Sequence, residues 1–486
     1  MPAWVGALFF LALAATRGGE PAVPRTWDDA AVTTLELPLA DERHSPIHVP
    51  AEYYYQIPAR TVWKSFPVYH PDREPEGYVE RLRGEEPQVA FDPSKLAGEA
   101  EWARAGELVF DAPNSLEPLA RSLVRDRDWY RAAGIPVARD GSVPFFRYVI
   151  REKGKIEVTS GGCVECHTRV MPDGAVIKGA QGNYPFERAG AYLFRKFPRL
   201  DQARTTLRNL FAAPWVRPDP MAAIEALGAE ELAAAAEAIP PGVLGRRGSS
   251  LFHPPQVPDL IGVRERRFLD HTGLVRQRSI GDLMRYSALN QGMDQLARYG
   301  DFRPAGDLPD PKTRSRYSDE QLYALALYLY SLRPPENPHR ADASTERGRR
   351  VFEREGCAAC HTPPLYSNNK LTPAAGFTPR DEQLRSDEAM PVSVGTDPSL
   401  ALRTRRGTGY YKVPSLRGVW YRGPFEHNGS VATLEDWFDP ARLRGDYVPT
   451  GFRGPGPGPR AVPGHAFGLR LTDPDRRALI AFLKTL

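Results

Sequence analysis

All four cysteines of this 486-residue chain lie in two pentapeptides, Cys163-Val-Glu-Cys166-His167 and Cys357-Ala-Ala-Cys360-His361. No thiol is left over for a disulfide framework. In C-x-x-C-H, two thiols add across the vinyl groups of a haem and the adjacent histidine becomes the proximal ligand of the iron. The same spacing serves zinc sites and redox dithiols, but two copies that use every cysteine point to two covalently bound c-type haems, ligated by His167 and His361. The 48 prolines, about twice average usage, fit long ordered loops wrapped around a modest number of helices. A net charge of +4, from 64 basic and 60 acidic residues, excludes a nucleic-acid surface.

The apolar run Ala3 to Ala15, followed by Arg17-Gly18-Gly19, resembles a secretory signal over residues 1–20, although its basic leader is missing. It is too short to cross a bilayer as a helix, and no other segment looks transmembrane. Together with haem attachment, which belongs outside the cytoplasm, this gives an exported, periplasmic protein without an integral span.

The rest of the chain repeats itself. Ser318 to Leu332 aligns without a gap on Thr472 to Leu486, 154 residues later, and each begins with an N-cap residue followed by an apolar helical stripe. Val257-Pro258-x-Leu260-x-Gly262-Val263-x-x-Arg266 matches Val413-Pro414-x-Leu416-x-Gly418-Val419-x-x-Arg422, and His271-x-Gly273 matches His427-x-Gly429, all 156 residues apart. Gly106-x-x-Val109-Phe110 echoes Gly348-x-x-Val351-Phe352. The period is far too long for a solenoid, so two homologous haem domains in tandem are expected at 101–333 and 340–486. The proline-rich Arg333 to Pro338 is the linker. A strand hairpin over Gly141 to Val158 interrupts the first copy. Residues 21–100, with Tyr53-Tyr54-Tyr55, Trp63, Phe66 and Tyr69, show neither helical nor strand period and read as a loop-rich structural extension.

The run Tyr411-Lys412-Val413-Pro414-Ser415-Leu416-Arg417-Gly418, followed by Pro424-Phe425-Glu426-His427-Asn428-Gly429 and the terminal helix, resembles the bacterial di-haem cytochrome c peroxidases. That family includes MauG-like enzymes and is related to the haem-containing rubber oxygenases. The resemblance implies a mainly α protein of two class I cytochrome c domains, here with long loops and a small β-hairpin insertion. It implies that one haem relays electrons while the other reacts with peroxide, with a small cytochrome c or cupredoxin as donor. It leaves room for a calcium ion between the domains.

In the peroxidases the C-terminal haem takes a methionine shortly before the chain end. This chain has no methionine beyond Met390, whereas His465 stands 21 residues before the end (486 − 465). The expectation is a bis-histidine second haem, His361 with His465, as in the rubber oxygenases. Shifting His465 back by 154 to 156 lands on Pro309 to Pro311, which offers no iron ligand, so haem 1 is expected to keep an open position for peroxide or dioxygen. His427 belongs to the family's histidine motif beside the C-terminal haem, and its repeat partner His271 should lie near haem 1. Where the peroxidases carry Phe-Trp-Asp-Gly-Arg, this chain has Phe268-Leu269-Asp270-His271, so the tryptophan between the haems is Leu269. The glutamate that assists O–O cleavage has only Gln291 and Asp294 as candidates, and glutamine cannot donate the required proton. Met284 and Met293 read as helix core, Met171 as packing on the haem edge, and Arg264, Arg266, Arg267, Arg276 and Arg278 as a solvated face with one or two propionate contacts. Three functions fit: a peroxidase-like oxidoreductase, an oxygenase acting on an apolar organic substrate, and a two-haem electron carrier.

Overall fold

The computed structural model describes residues 22–113, 120–454, 456 and 458–486, so the signal-like run lies outside the described residues. Helices dominate, and the sheets are short and antiparallel. Among the described residues no helix is long and apolar enough to cross a membrane.

Two helix crossings organise the chain, and the repeat dictates both. Glu99–Asp111 packs on Asp319–Ser331, and Ala343–Arg354 packs on Asp473–Lys484. Each crossing is possible because one residue has no side chain. A β-carbon on Gly106 would sit 1.9 Å from the Ala324 carbonyl oxygen, and one on Gly348 would sit 1.9 Å from that of Ala478. Ala324 and Ala478 are themselves repeat partners, so the two pairs cross at equivalent points. Ser318 closes a capping box with Gln321 at the start of one terminal helix. Thr472 holds the N-cap position of the other without a capping side-chain bond.

The expected hairpin is present as Ser142–Glu152 paired with Lys155–Thr159, and Tyr148 faces Val158. It acquires a third strand that sequence reasoning missed: Ser65–Tyr69, inside the supposed loop-rich extension, with Phe66 opposite Tyr148. The tyrosine cluster likewise lies on a short helix, Ala51–Gln56. Elements of five and six residues are too short for either period to emerge. Trp27, fully buried, stacks on Tyr54 at 4.6 Å and donates from Nε1 to the Val49 carbonyl at 2.8 Å within this extension, and it shares one apolar cluster with Leu322 and Leu325 of the first half.

The two halves meet through reciprocal bonds. The Gln256 amide donates to the His427 carbonyl (2.7 Å), and the Lys412 amide donates to the His271 carbonyl (2.9 Å). Both pairs are repeat partners (412 − 256 = 427 − 271 = 156). The contact therefore has the self-complementary pattern of a two-fold dimer interface within one chain.

Beside it lies a buried charge network. Glu36, from the N-terminal segment, accepts from His48 Nε2 at 2.8 Å and pairs with Arg406 at 3.1 Å. Burial works to raise the Glu36 carboxyl, but His48 and Arg406 together hold it below the usual glutamate value. A depressed native value means that this stabilisation is complete above the unfolded-state pKa and disappears as pH falls through the native one. The thermal midpoint is expected to drop as the solution is acidified below about pH 4.5, and Glu36→Gln to flatten that limb while lowering the midpoint at neutral pH. Calorimetry across the acid range checks this.

Candidate functional site

The second pentapeptide opens onto an empty space of about 1460 Å³, continuous with solvent. Phe352, Val419, Leu434, Phe438, Leu479 and Leu483 supply apolar walls, and Cys357, Cys360, His361 and His465 line the space together. His361 donates from Nδ1 to the Tyr366 carbonyl at 3.1 Å, which leaves the lone pair on Nε2. Burial lowers its pKa, with the Tyr366 and Pro414 carbonyls acting in the opposite sense.

His465 faces it. The two ring centroids are 6.2 Å apart. Imidazoles bound to one metal from opposite sides through bonds of about 2 Å would place their centroids roughly 6 Å apart. His465 has a positive φ of 47°, rare for a residue with a β-carbon, and follows Gly464 at 82°. Arg442 holds this strained turn. Its fully buried guanidinium donates to the carbonyls of Val462 (2.8 Å), Gly464 (2.9 Å), His465 (2.8 Å) and Trp437 (2.9 Å). Burial, then His361 and then Arg442 push His465 down to about 3, so its ring is neutral and able to ligate. Its Nδ1 is buried without a hydrogen-bond partner. Cavity, thiols and opposed imidazoles thus fit a haem.

The first pentapeptide is prepared in the same way. His167 Nδ1 donates to the carbonyl of Pro258, the repeat partner of Pro414, at 3.0 Å. Burial drives its pKa down to about 4, with the Pro258 bond opposing. Burial also pushes the thiols up: Cys163 to about 12, Cys166 further, and Cys357 to about 11. Cys163, Cys166 and His167 are half-buried. The four cysteines form no disulfide.

Between the two pentapeptides lies a smaller space lined by Arg266, His271, Lys412 and Arg422. His271 pairs through Nε2 with the Gln256 carbonyl at 2.7 Å, and burial followed by Lys412 keeps it neutral. His427 stacks on Tyr411 at 4.4 Å and contacts the Glu426 carboxylate, lining the second cavity. Leu269 is buried, and Lys412 Nζ donates to its carbonyl at 3.1 Å. Burial lowers Lys412 to about 7, with Arg266 adding to the effect. Sequence reasoning missed Lys412 because its repeat partner is an uncharged glutamine. It also missed Arg246, which acts electrostatically on Cys166, His167, His271 and Lys412 and donates to Tyr286 Oη at 3.1 Å.

The remaining candidates fall elsewhere. Gln291 ends the helix Ile280–Asn290, and neither it nor Asp294 lines either space. Asp294 is buried between Arg406 (3.8 Å) and Arg247 (3.9 Å). Met284 and Met293 are core, as expected, and Met171 packs near Ile177 and Ile261. Of the basic face, Arg266 alone lines the inner space, whereas Arg276 and Arg278 are paired with Glu388 and Asp282.

No protein-family model matches the chain. Among curated proteins, it is 29% identical over 164 residues to cytochrome-c peroxidase IdrP1 of Denitromonas iodatirespirans, covering 30% of this chain and 40% of that protein. It is 31% identical over 116 residues to cytochrome-c peroxidase IdrP1 of Pseudomonas sp. (strain SCT), covering 20% and 31%. The matches span about two fifths of these relatives or less. A solved MauG-like protein associated with microbial copper homeostasis superimposes with a TM-score of 0.29 at 18% identity, over 48% of this chain and 73% of that one.

Proposed function

We propose, for a chain that is a relative of the di-haem cytochrome c peroxidases and MauG-like proteins, the role of an exported, periplasmic di-haem oxidoreductase. Its first site would be reactive and its second would relay electrons from a small donor protein. The observation that carries this reading is the pair of opposed, neutral imidazoles, His361 and His465, across a cavity reached by two free thiols. Cys163, Cys166 and His167 would hold haem 1, and Cys357, Cys360, His361 and His465 haem 2, each half being one cytochrome c domain. Haem bound there supplies one-electron chemistry and, where a coordination position is open, a place for peroxide or dioxygen.

The chain's own residues prepare these roles. The carbonyls of Pro258 and Tyr366 each hold Nδ1 of a proximal ring, which leaves the lone pair on Nε2 in both halves. Arg442 fixes the distal loop of the second half alone. Its counterpart in the first half, around Pro309, has no ligand, and the Pro309 carbonyl instead accepts from Tyr53 Oη at 2.6 Å. Arg266 and Arg422 present positive charge to the inner space, which suits the carboxylates of bound haem.

The second reading is an oxygenase acting on an apolar organic substrate. Carbon monoxide titration of the reduced protein is expected to give one adduct per chain. Rapid peroxide turnover with a reduced small cytochrome identifies the peroxidase, and a stable oxygen adduct without turnover identifies the oxygenase. Failure to bind carbon monoxide at either haem overturns both and leaves the electron carrier.

A further inference from the structure

Lys412 lines both internal spaces, the large cavity at the second pentapeptide and the smaller one between the halves. It ends the strand Tyr410–Lys412, and its side chain crosses from the second half to the first, where Nζ meets the Leu269 carbonyl at 3.1 Å. Among the described residues no carboxylate comes within ion-pair distance of it. Its electrostatic neighbours are Arg266, Arg422 and Arg246, which oppose a charge on the amine, and Asp270, which favours one. Three guanidinia thus outweigh one carboxylate around a side chain already removed from water.

Three ionisable side chains line both spaces: His271, Lys412 and Arg422. A guanidinium keeps its proton at every pH the protein meets. His271 is engaged through Nε2 with the Gln256 carbonyl at 2.7 Å and is held neutral by burial and by Lys412. Lys412 remains as the group free to change charge, and either a neutral amine or an ammonium can donate to the Leu269 carbonyl. Glu426 and His427 also line the large cavity, but they are engaged with each other. The repeat supplies a comparison. Gln256 holds the equivalent position of the first half and makes the equivalent backbone bond across the junction. The ionisable group is therefore confined to one side of a junction that is otherwise symmetric.

We propose that Lys412 takes up a proton when the second cavity gains an electron and gives it back when the electron leaves, so that relay through the second half is proton-coupled. The inference rests on the reading of that cavity as the haem 2 site. An electron arriving beside the buried amine adds the negative charge that its guanidinium neighbours deny it, and in a medium of low dielectric this attraction is strong. The balance is one electron and one proton. The electron comes from the donor protein and stays on the bound group. The proton comes from solvent, with which the cavity is continuous, and binds the Nζ lone pair.

Optical redox titration of the full-length holoprotein across the neutral pH range tests this. The midpoint potential of haem 2 is expected to fall as pH rises, because protonated Lys412 favours the reduced state and neutral Lys412 does not. Lys412→Gln, which copies the first half, should lose that slope and stay at the value that the unmodified protein reaches in alkali. Lys412→Arg, permanently charged, should also lose the slope but stay at the acid value. The low-spin EPR signal should be unchanged in both, since neither substitution alters a ligand. A flat potential in the unmodified protein overturns the proposal. So does a slope that persists in either variant with both haems loaded, which would assign the proton to His271, His427 or a haem carboxylate. If Lys412→Gln fails to fold, the slope of Lys412→Arg decides. Absence of a low-spin haem at the second pentapeptide of the unmodified protein would overturn the haem 2 reading and this proposal with it.

Discussion

A His465→Ala variant is expected to lose one complete low-spin ferric signal and to gain a high-spin one of equal intensity, with haem content and fold retained. Loss of one strong axial ligand converts a six-coordinate haem into a five-coordinate one, and axial-ligand identity is the main lever on haem properties. The surroundings should survive, since Arg442 bonds the backbone carbonyls of the loop and not the imidazole. Relief of the positive φ at position 465 is incomplete with alanine, so His465→Gly serves as the companion variant. Low-temperature EPR of the fully ferric protein decides the matter. An unchanged low-spin spectrum would assign the sixth ligand elsewhere and remove the main support for the proposed function.

Gly348→Val should be the most destabilising single substitution in either helix pair, costing roughly 3 kcal/mol or more and abolishing accumulation of folded protein in many hosts. Its β-carbon would meet a backbone carbonyl at 1.9 Å and the Phe482 β-carbon at 2.7 Å. Neither can rotate away, so the helices must separate and the cluster of Val351, Phe352, Leu479 and Phe482 must open. Gly190 gives the control. It sits exposed within Phe186–Lys196 with nothing within 4 Å of an added β-carbon, and Gly190→Ala should stabilise by about 0.5–1 kcal/mol through helix propensity. Urea melts of both variants distinguish close backbone approach from a general intolerance of change at helical glycines.

These glycines illustrate what the sequence makes legible. The repeat exposed both crossings, the terminal helices and the pairing of Pro258 with Pro414, because duplication turns one chain into its own alignment. His465 came instead from the resemblance to the peroxidases, by asking what replaces an absent methionine, and not from the repeat. It was silent where the halves differ. Lys412 and Arg246 acquire their importance from neighbours far away in sequence, and Arg406 from Glu36, Asp270 and Asp294 in separate segments. Asp294 carried a plausible label from its position, but its side chain is turned to Arg247 and Arg406, which no local pattern encodes. The strand Ser65–Tyr69 escaped because pairing across eighty residues, and not its own composition, makes it a strand.

The burial of the thiols has a bearing on how the molecule is made. Cys163 and Cys166 are enclosed by the finished fold, and burial pushes both so far up that essentially no thiolate exists at neutral pH. A haem bonded to them, as in the proposed function, would have to react with thiols more accessible than these.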